Sequence, residues 1–280
     1  MNFNDFVDVL REHLEETMNI TTKVIEVVKQ GDTVYTAITV PTKNLSNNET
    51  LSATVYMEGY YDEYMNGKSM QDIFSDVEAF LERKCPDVDL SLLYDWNSAK
   101  PYLQKRLVNY ELNKEFLLGK PYAKYGDLAV YFVVCYEDSE NAYSLPISDR
   151  FLDVWKVTVA ELYNSANIRE TVVTNCAGMT ILSNESIQYG AINILDFNAL
   201  VDLTKQNGSI YLIPSSIHEW IVVPDKWING DEDALSEMID AVNSFCLSDD
   251  ERLGSHPYYF DATTKKLYMS KDGDPMFVKF

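Results

Sequence analysis

Histidine and cysteine, the residues that most often bind metals or act as nucleophiles, are scarce in this sequence. Only 3 histidines and 4 cysteines occur in 280 residues. The histidines are far apart, and neither a Cys-x-x-Cys nor a His-x-x-x-His pair is present. Because protein metal sites need several such ligands at short spacing, the sequence predicts no dedicated metal site.

Basic residues are also few. Lysine and arginine total 23 against 44 aspartates and glutamates, a net charge of −21. Such a surface repels nucleic acid and anionic membranes, so we expect neither as a partner. The simplest interpretation of the charge is solubility.

Long apolar runs are missing. No stretch approaches the ~18 residues that a membrane-spanning helix needs. The first residues lack both a cationic start and an apolar run, so no signal peptide is predicted. We therefore expect a cytoplasmic protein with free, buried thiols, since cysteines stay reduced in that compartment. The clearest candidates are Cys135, in an apolar strand, and Cys246, on a helix face, whereas Cys85 and Cys176 carry no further signal.

The apolar patterns predict an α+β fold, with mixed or largely antiparallel sheets and helices packed on them. Leu128 to Tyr136 is apolar on both faces, which is typical of a strand in the middle of a sheet. Shorter runs predict further strands, including one over Ala191 to Leu195. The polar turn at 137–146 suggests two α+β lobes, residues 1–140 and 141–280, although a single domain is also compatible with the sequence.

Several helix and turn signals are local and clear. Phe3 to Leu14 has helical apolar spacing, and Ser69 can cap a helix that begins at Met70. Gln30-Gly31-Asp32 separates two β-rich runs and predicts a hairpin. Thr158 and Glu161 form a capping box.

Two segments resemble ligand-binding loops without completing them. Gly67-Lys68-Ser69 looks like the end of a P-loop, but the required earlier glycine is Asp62, which has the wrong charge for phosphate. Asp225 to Ser236 has Asn229-Gly230 in the phase of a calcium loop, but its third position is Trp227 and its twelfth is Ser236. The sequence therefore predicts no cofactor.

The densest polar cluster is Pro214-Ser215-Ser216-Ile217-His218-Glu219, between two apolar strands. As an active site it would have Ser215 or Ser216 as nucleophile, His218 as base and Glu219 as its orienting carboxylate. However, His218 and Glu219 are adjacent, and neighbouring side chains of an extended chain point to opposite faces. No Gly-x-Ser-x-Gly elbow accompanies them. A structural hairpin, whose Ser and His side chains bond backbone groups, is favoured.

A family resemblance runs through the second half. It is carried by Phe151 to Tyr163, Thr174-Asn175, Tyr189-Gly190-Ala191, Tyr211 to Glu219 and Asp249 to Leu253. These stretches resemble an uncharacterised family of Firmicutes proteins, common in gut clostridia and known only as a domain of unknown function, with the Pro-Ser-Ser-Ile-His-Glu run as its most specific motif. The Asp153 to Trp155 helix segment is also similar, more loosely, to a small bacillar family. The resemblance implies a cytoplasmic bacterial α+β protein and no known activity.

The sequence thus favours a non-enzymatic binding or interaction protein with an unknown protein or small-molecule partner. One alternative is a hydrolase or transferase that uses the loop of Ser215, Ser216, His218 and Glu219. A second is an acidic protein that occupies a cationic surface, such as a nucleic-acid mimic.

Overall fold

The computed structural model describes residues 1–44, 50–82, 93–137, 142–176, 178–228 and 230–280. Cys85, Asn229 and part of the predicted boundary turn lie outside the described residues. The chain forms two compact units, Met1–Lys29 with Thr33–Asp89 and Gln30–Asp32 with Leu90–Phe280. These bounds differ from the expected lobes 1–140 and 141–280. The physical reason is strand pairing, because Val133 to Glu137 pairs with residues 142–146 across that position.

The first unit is a three-stranded antiparallel sheet with three helices. Its strand order is β1-β2-β3. The first helix begins at Asn2, whose side chain accepts from the Asp5 amide, and the third is capped by Ser69, as expected. The elements are α1 Phe3–Met18, β1 Lys23–Val28, β2 Val34–Asn44, β3 Thr50–Tyr56, α2 Met57–Met65 and α3 Met70–Glu82.

The core of this unit follows from helical spacing. The buried α1 residues Phe6, Val7, Leu10 and Leu14 form one stripe, which packs with Ile73 and Val77 of α3 and with residues of the sheet. The P-loop-like lysine, Lys68, bonds Glu63 and Asp76, at 2.7 and 2.5 Å. Its ammonium therefore has carboxylate partners.

The second unit contains a five-stranded antiparallel sheet. Its order is β14-β5-β6-β4, with β7 also paired to β6. The predicted central strand is confirmed, since Leu128 to Cys135 is buried on both faces. The strands are β4 Leu103–Asn109, β5 Tyr122–Tyr125, β6 Leu128–Glu137, β7 Ala142–Pro146 and β14 Val278–Lys279.

A six-stranded antiparallel sheet completes this unit. Its order is β13-β12-β10-β11-β9-β8, and residues of both sheets share one large core. Strands β12 and β13 pair as an antiparallel hairpin. The strands are β8 Thr171–Cys176, β9 Met179–Asn184, β10 Ile210–Ser216, β11 Glu219–Pro224, β12 Tyr258–Asp261 and β13 Lys266–Tyr268.

Short helices connect these strands. The Thr158–Glu161 capping box is present at the start of α7. The α-helices are α4 Trp96–Ala99, α5 Lys114–Leu117, α6 Asp149–Trp155, α7 Val159–Ser165, α8 Phe197–Asn207 and α9 Glu232–Phe245; the 3-10 helices are Gln30–Asp32, Lys100–Tyr102, Glu111–Asn113, Gly190–Leu195, Asp225–Trp227 and Asp249–Glu251. Within the described ranges, every helix is too short or too polar to cross a bilayer.

The expected α+β class with antiparallel sheets is confirmed, and two local predictions are wrong. Residues 191–195 form part of the 3-10 helix Gly190–Leu195 and not a strand, because the chain turns at Tyr189, which has φ 55°. A short apolar run alone does not distinguish a buried strand from a buried helix. Cys246 ends α9 and is exposed, as is Cys176, whereas Cys135 is buried as predicted.

Candidate functional site

The cluster at 214–219 forms the tight connection between β10 and β11. Pro214 pairs with Trp220, and Ser216 pairs with Glu219 across a register shift. The main chain of Ile217 is bonded on both sides, since its N–H donates to the Glu251 carbonyl at 2.9 Å and its carbonyl accepts from the Ala191 N–H at 3.2 Å. This turn is thus fixed by backbone hydrogen bonds.

Both serines of the cluster are engaged away from the histidine ring. Ser215 Oγ donates to Glu219 Oε1 at 3.2 Å. Ser216 Oγ accepts from the His218 backbone N–H at 3.0 Å. In the described part of the chain, no serine hydroxyl bonds to the ring of His218. The structure brings Ser215 to Glu219, and among the described residues neither serine of the cluster bonds to the His218 ring.

His218 is held by a different loop. Its Nδ1 accepts from the Tyr189 backbone N–H at 3.0 Å, and the two rings lie edge to face at 5.6 Å. A nitrogen that accepts carries no proton, so the neutral ring has its proton on Nε2. Nε2 faces Glu251 Oε1 at 3.7 Å. With that tautomer, Nε2 has no lone pair with which to take a proton from a serine.

Gly190 allows the turn at His218 and the end of β9 to pack closely against its own backbone. A Cβ at Gly190 would lie 2.1 Å from Ser183 Oγ and 2.6 Å from the His218 carbonyl oxygen. Ser183 Oγ itself donates to that carbonyl at 2.8 Å. Three of the stretches that carry the family resemblance therefore meet here: residues 189–191, 211–219 and 249–253.

A polar pocket is lined in part by Tyr189, whose backbone N–H bonds to His218. It is small and open to solvent, with about 30 Å³ of space for a water-sized group. Its walls come from β4, the end of β9, the loop before Gly190 and the segment before β8. Among the described residues the lining carries no acidic side chain, and it consists of residues 104–106, Arg169, Asn184, Gln188, Tyr189 and Ile192.

Arg106 is the central cation of this pocket. Its guanidinium carbon lies 3.6 Å from the centre of the Tyr189 ring, and Nη2 is 3.8 Å from Cys135 Sγ. Burial raises the pKa of the neighbouring Tyr131 phenol, and the Arg106 charge partly opposes that rise. Tyr189 is therefore clamped between Arg106 and His218.

The other basic residues of the pocket are placed differently. Arg169 donates from Nη1 to Ser186 Oγ at 3.1 Å and from Nε to Gln104 Oε1 at 3.4 Å. Strand alternation turns Lys105 to the opposite face of β4, where its Nζ lies 4.4 Å from the Tyr163 ring centre and burial lowers its pKa. The pocket thus has two guanidinium groups, those of Arg106 and Arg169.

The remaining histidines have carboxylate partners. His256 lies 3.0 Å from Asp127 Oδ2, and the buried Tyr258 hydroxyl donates to the same carboxylate at 2.7 Å. His13 lies 2.7 Å from Glu78 Oε1. Among the described residues, no cluster of three or more His, Cys, Asp or Glu side chains is suited to a metal ion. Asp225, from the calcium-like loop, accepts from Lys271 at 2.8 Å.

The sequence reasoning did not single out the pocket. Arg106 and Arg169 are distant in sequence, and neither belongs to a recognisable motif. The available signal was the basic doublet Lys105-Arg106 in a strongly acidic chain. Tyr189, which joins the pocket to the turn, was noted as part of the family resemblance only.

Fold and site together define a two-unit α+β protein with a cation-lined pocket supported by a β-turn. A protein family of unknown function, DUF5688, matches residues 3–175 and 164–262. These ranges cover most of the chain, so the protein belongs to that family, and the expectation of a domain of unknown function is confirmed. No curated protein and no solved structure matches the chain.

Proposed function

We propose that the protein is a non-enzymatic binding protein whose site is the pocket beside Tyr189. The observation that carries this proposal is the clamp on Tyr189, with His218 Nδ1 on its backbone N–H and Arg106 on its ring. The motif at 214–219 then has a structural task, which is to fix one wall of the pocket. Sites of this kind are concave and largely pre-formed, with a few polar groups that converge on the ligand.

A bacterial, Firmicutes origin and a cytoplasmic location form part of the same proposal. They are supported by the resemblance carried by the Pro-Ser-Ser-Ile-His-Glu motif and by the composition of the chain. The net charge of −21 supports a partner other than nucleic acid or an anionic membrane. A small polar group fits the pocket better than a protein surface does, because the space is small and its lining comes from several elements.

The hydrolase or transferase alternative requires a serine that approaches the His218 ring. The contacts of Ser215 with Glu219 and of Ser216 with backbone do not favour it. The alternative of an acidic protein that occupies a cationic surface rests on net charge alone, and no contact of the described residues adds to it.

Equilibrium dialysis against a mixture of small metabolites tests the proposed function. Mass spectrometry would compare the native chain, the double variant Ser215→Ala/Ser216→Ala and the variant Gln188→Trp. Gln188 is exposed at the pocket, so a tryptophan there fills space without removing either arginine. We expect at least one compound to be retained by the first two proteins and lost from the third. Retention of every bound compound by Gln188→Trp, or no retained compound at all, would refute the proposal.

A further inference from the structure

The charge of Arg106 has no counter-ion among the residues that the structure describes. Its neighbours are the Tyr189 ring, Cys135 Sγ and the Tyr131 phenol. In the part of the chain that the structure describes, no carboxylate lies within ion-pair distance of its guanidinium. The chain as a whole has 44 acidic residues for 23 basic ones, so an arginine without an acidic partner is unexpected. A half-buried charge without a partner is costly, and a bound anion would offset that cost.

The position of Arg106 also fits recognition of an anion. The Arg106 guanidinium carbon lies 3.6 Å from the Tyr189 ring centre. A cation–π contact of this kind does not use up all of the guanidinium N–H groups. Those groups form a fork that matches two oxygens of a carboxylate or a phosphate. Arg169 adds a second positive charge at the same pocket, and Gln188 adds a side-chain amide.

Other pockets of the protein have the opposite character. One in the first unit is lined by Glu63 and Asp76, and another in the second unit includes Asp202. As far as its described lining goes, the pocket at Arg106 has no acidic residue. The contrast shows that its positive charge is local and is not a property of the surface in general.

From these contacts we infer that the pocket binds an oxyanion, either the phosphate or the carboxylate group of a small ligand. This inference rests on the proposed function and specifies its ligand class. The cavity itself offers only about 30 Å³ to a water-sized group, so it takes no more than a few atoms of the charged end of such a ligand, and the rest of the ligand would lie in the open mouth. Arg106 and Arg169 would bind the oxyanion, while Tyr189 holds the Arg106 plane in place.

Thermal unfolding with two anions tests the inference. Inorganic phosphate and succinate would be titrated separately, with sodium chloride at equal ionic strength as reference. A ligand that binds only the folded chain raises the unfolding temperature in proportion to the logarithm of its concentration above Kd. We expect such a rise for at least one anion. Phosphate alone would indicate a phosphoryl ligand and succinate alone a carboxylate ligand, and either supports the inference.

Matched variants separate a built site from general salt effects. Arg106→Gln and Arg169→Gln should each weaken the response at least about tenfold, the loss of one good charge-assisted contact. Arg11→Gln is the control, because it removes the same charge from an arginine that already contacts Asp8 and Glu15. If Arg106→Gln does not fold, Arg169→Gln carries the test. An equal rise in chloride, or a full response in both pocket variants, would mean an adventitious ion only and would overturn the inference.

Failure of the inference and failure of the proposed function give different results. If neither anion acts but dialysis recovers a compound lost in Gln188→Trp, the pocket binds a ligand of another class. If neither anion acts and dialysis recovers nothing, both proposals are wrong.

Discussion

The turn at 214–219 and the pocket beside Tyr189 are neighbours with opposite properties. The turn has a dense polar sequence, yet its side chains are occupied by one another and by backbone, as in the Ser215–Glu219 bond. The pocket draws its residues from distant segments, yet Arg106 has no carboxylate partner among the described residues. The polar side chains of the turn already form hydrogen bonds within the protein, whereas Arg106 in the pocket can still bind a ligand.

This difference teaches how to interpret a polar motif. Ser, His and Glu in sequence look like catalytic chemistry, but hydrogen bonds to backbone use the same atoms. What distinguishes a site is an unsatisfied charge beside open space, and that property depends on tertiary structure. The first three of the following predictions each perturb one side of this comparison, and the fourth tests a histidine outside both.

The largest effect is expected from Gly190→Ala. The added methyl group would meet the His218 carbonyl at 2.6 Å and the Asn184 nitrogen at 2.9 Å, both backbone atoms that cannot move alone. Overpacking of this kind costs about 1–3 kcal/mol, and we expect the upper part of that range. Urea unfolding would measure it. Gly178→Ala is the control in an open position, although its positive φ of 83° adds some strain. A loss at Gly190 no larger than at Gly178 would contradict the packing described.

The next effect concerns His218. In His218→Ala the Tyr189 N–H loses its acceptor, which costs about 1–2 kcal/mol for a half-buried donor. His218→Asn should restore part of this stability, because its Oδ1 can accept in place of Nδ1. Ser215→Ala breaks a half-exposed bond and should cost about 1 kcal/mol or less. If asparagine does no better than alanine in urea unfolding, the Tyr189 bond is not the main role of His218.

A smaller effect is expected from Tyr189, on binding rather than on folding. Tyr189→Leu removes the ring beneath Arg106, and a cation–π contact contributes about 0.5–2 kcal/mol. The affinity for phosphate or succinate in calorimetry should fall by up to about thirtyfold. Tyr189→Phe keeps the ring and should bind like the native chain. Equal binding by Leu and Phe variants would show that stacking does not position Arg106.

The smallest effect is the pH dependence of the stability that His256 contributes. Burial acts to lower the pKa of His256, but its hydrogen bonds to Asp127 and the Pro257 carbonyl outweigh burial, so the pKa is raised. Its stabilising contribution is complete below the unfolded value of 6.5 and is lost as pH rises through the folded pKa. The His256 side chain is 30% exposed, so its pairing with Asp127 is expected to stabilise the fold by about 1 kcal/mol or less.

Urea unfolding of the native chain and His256→Gln across this pH range checks the sign. The stability difference between them should shrink as pH rises above about 6.5. A difference that grows with pH would contradict the Asp127 pairing.

The sequence was sufficient for the fold class and for many elements. Strand β6 was predictable because both of its faces are apolar, and the hairpin turn at Gln30-Gly31-Asp32 because glycine permits its left-handed φ of 72°. The strand predicted over 191–195 was wrong, since a short buried run fits a helix as well. The pocket could not be predicted from the sequence, because Arg106 and Arg169 come close only when β4 and the segment before β8 lie side by side in the folded chain.

The tautomer of His218 tests the central claim most directly. Nitrogen-15 NMR of a histidine-labelled chain, at a pH where the ring is neutral, distinguishes a protonated from an unprotonated ring nitrogen. We predict the proton on Nε2 and an unprotonated Nδ1 coupled to the Tyr189 amide. A neutral ring with its proton on Nδ1 and a free Nε2 would contradict the structural role of the turn and would favour the Ser215/Ser216 hydrolase alternative.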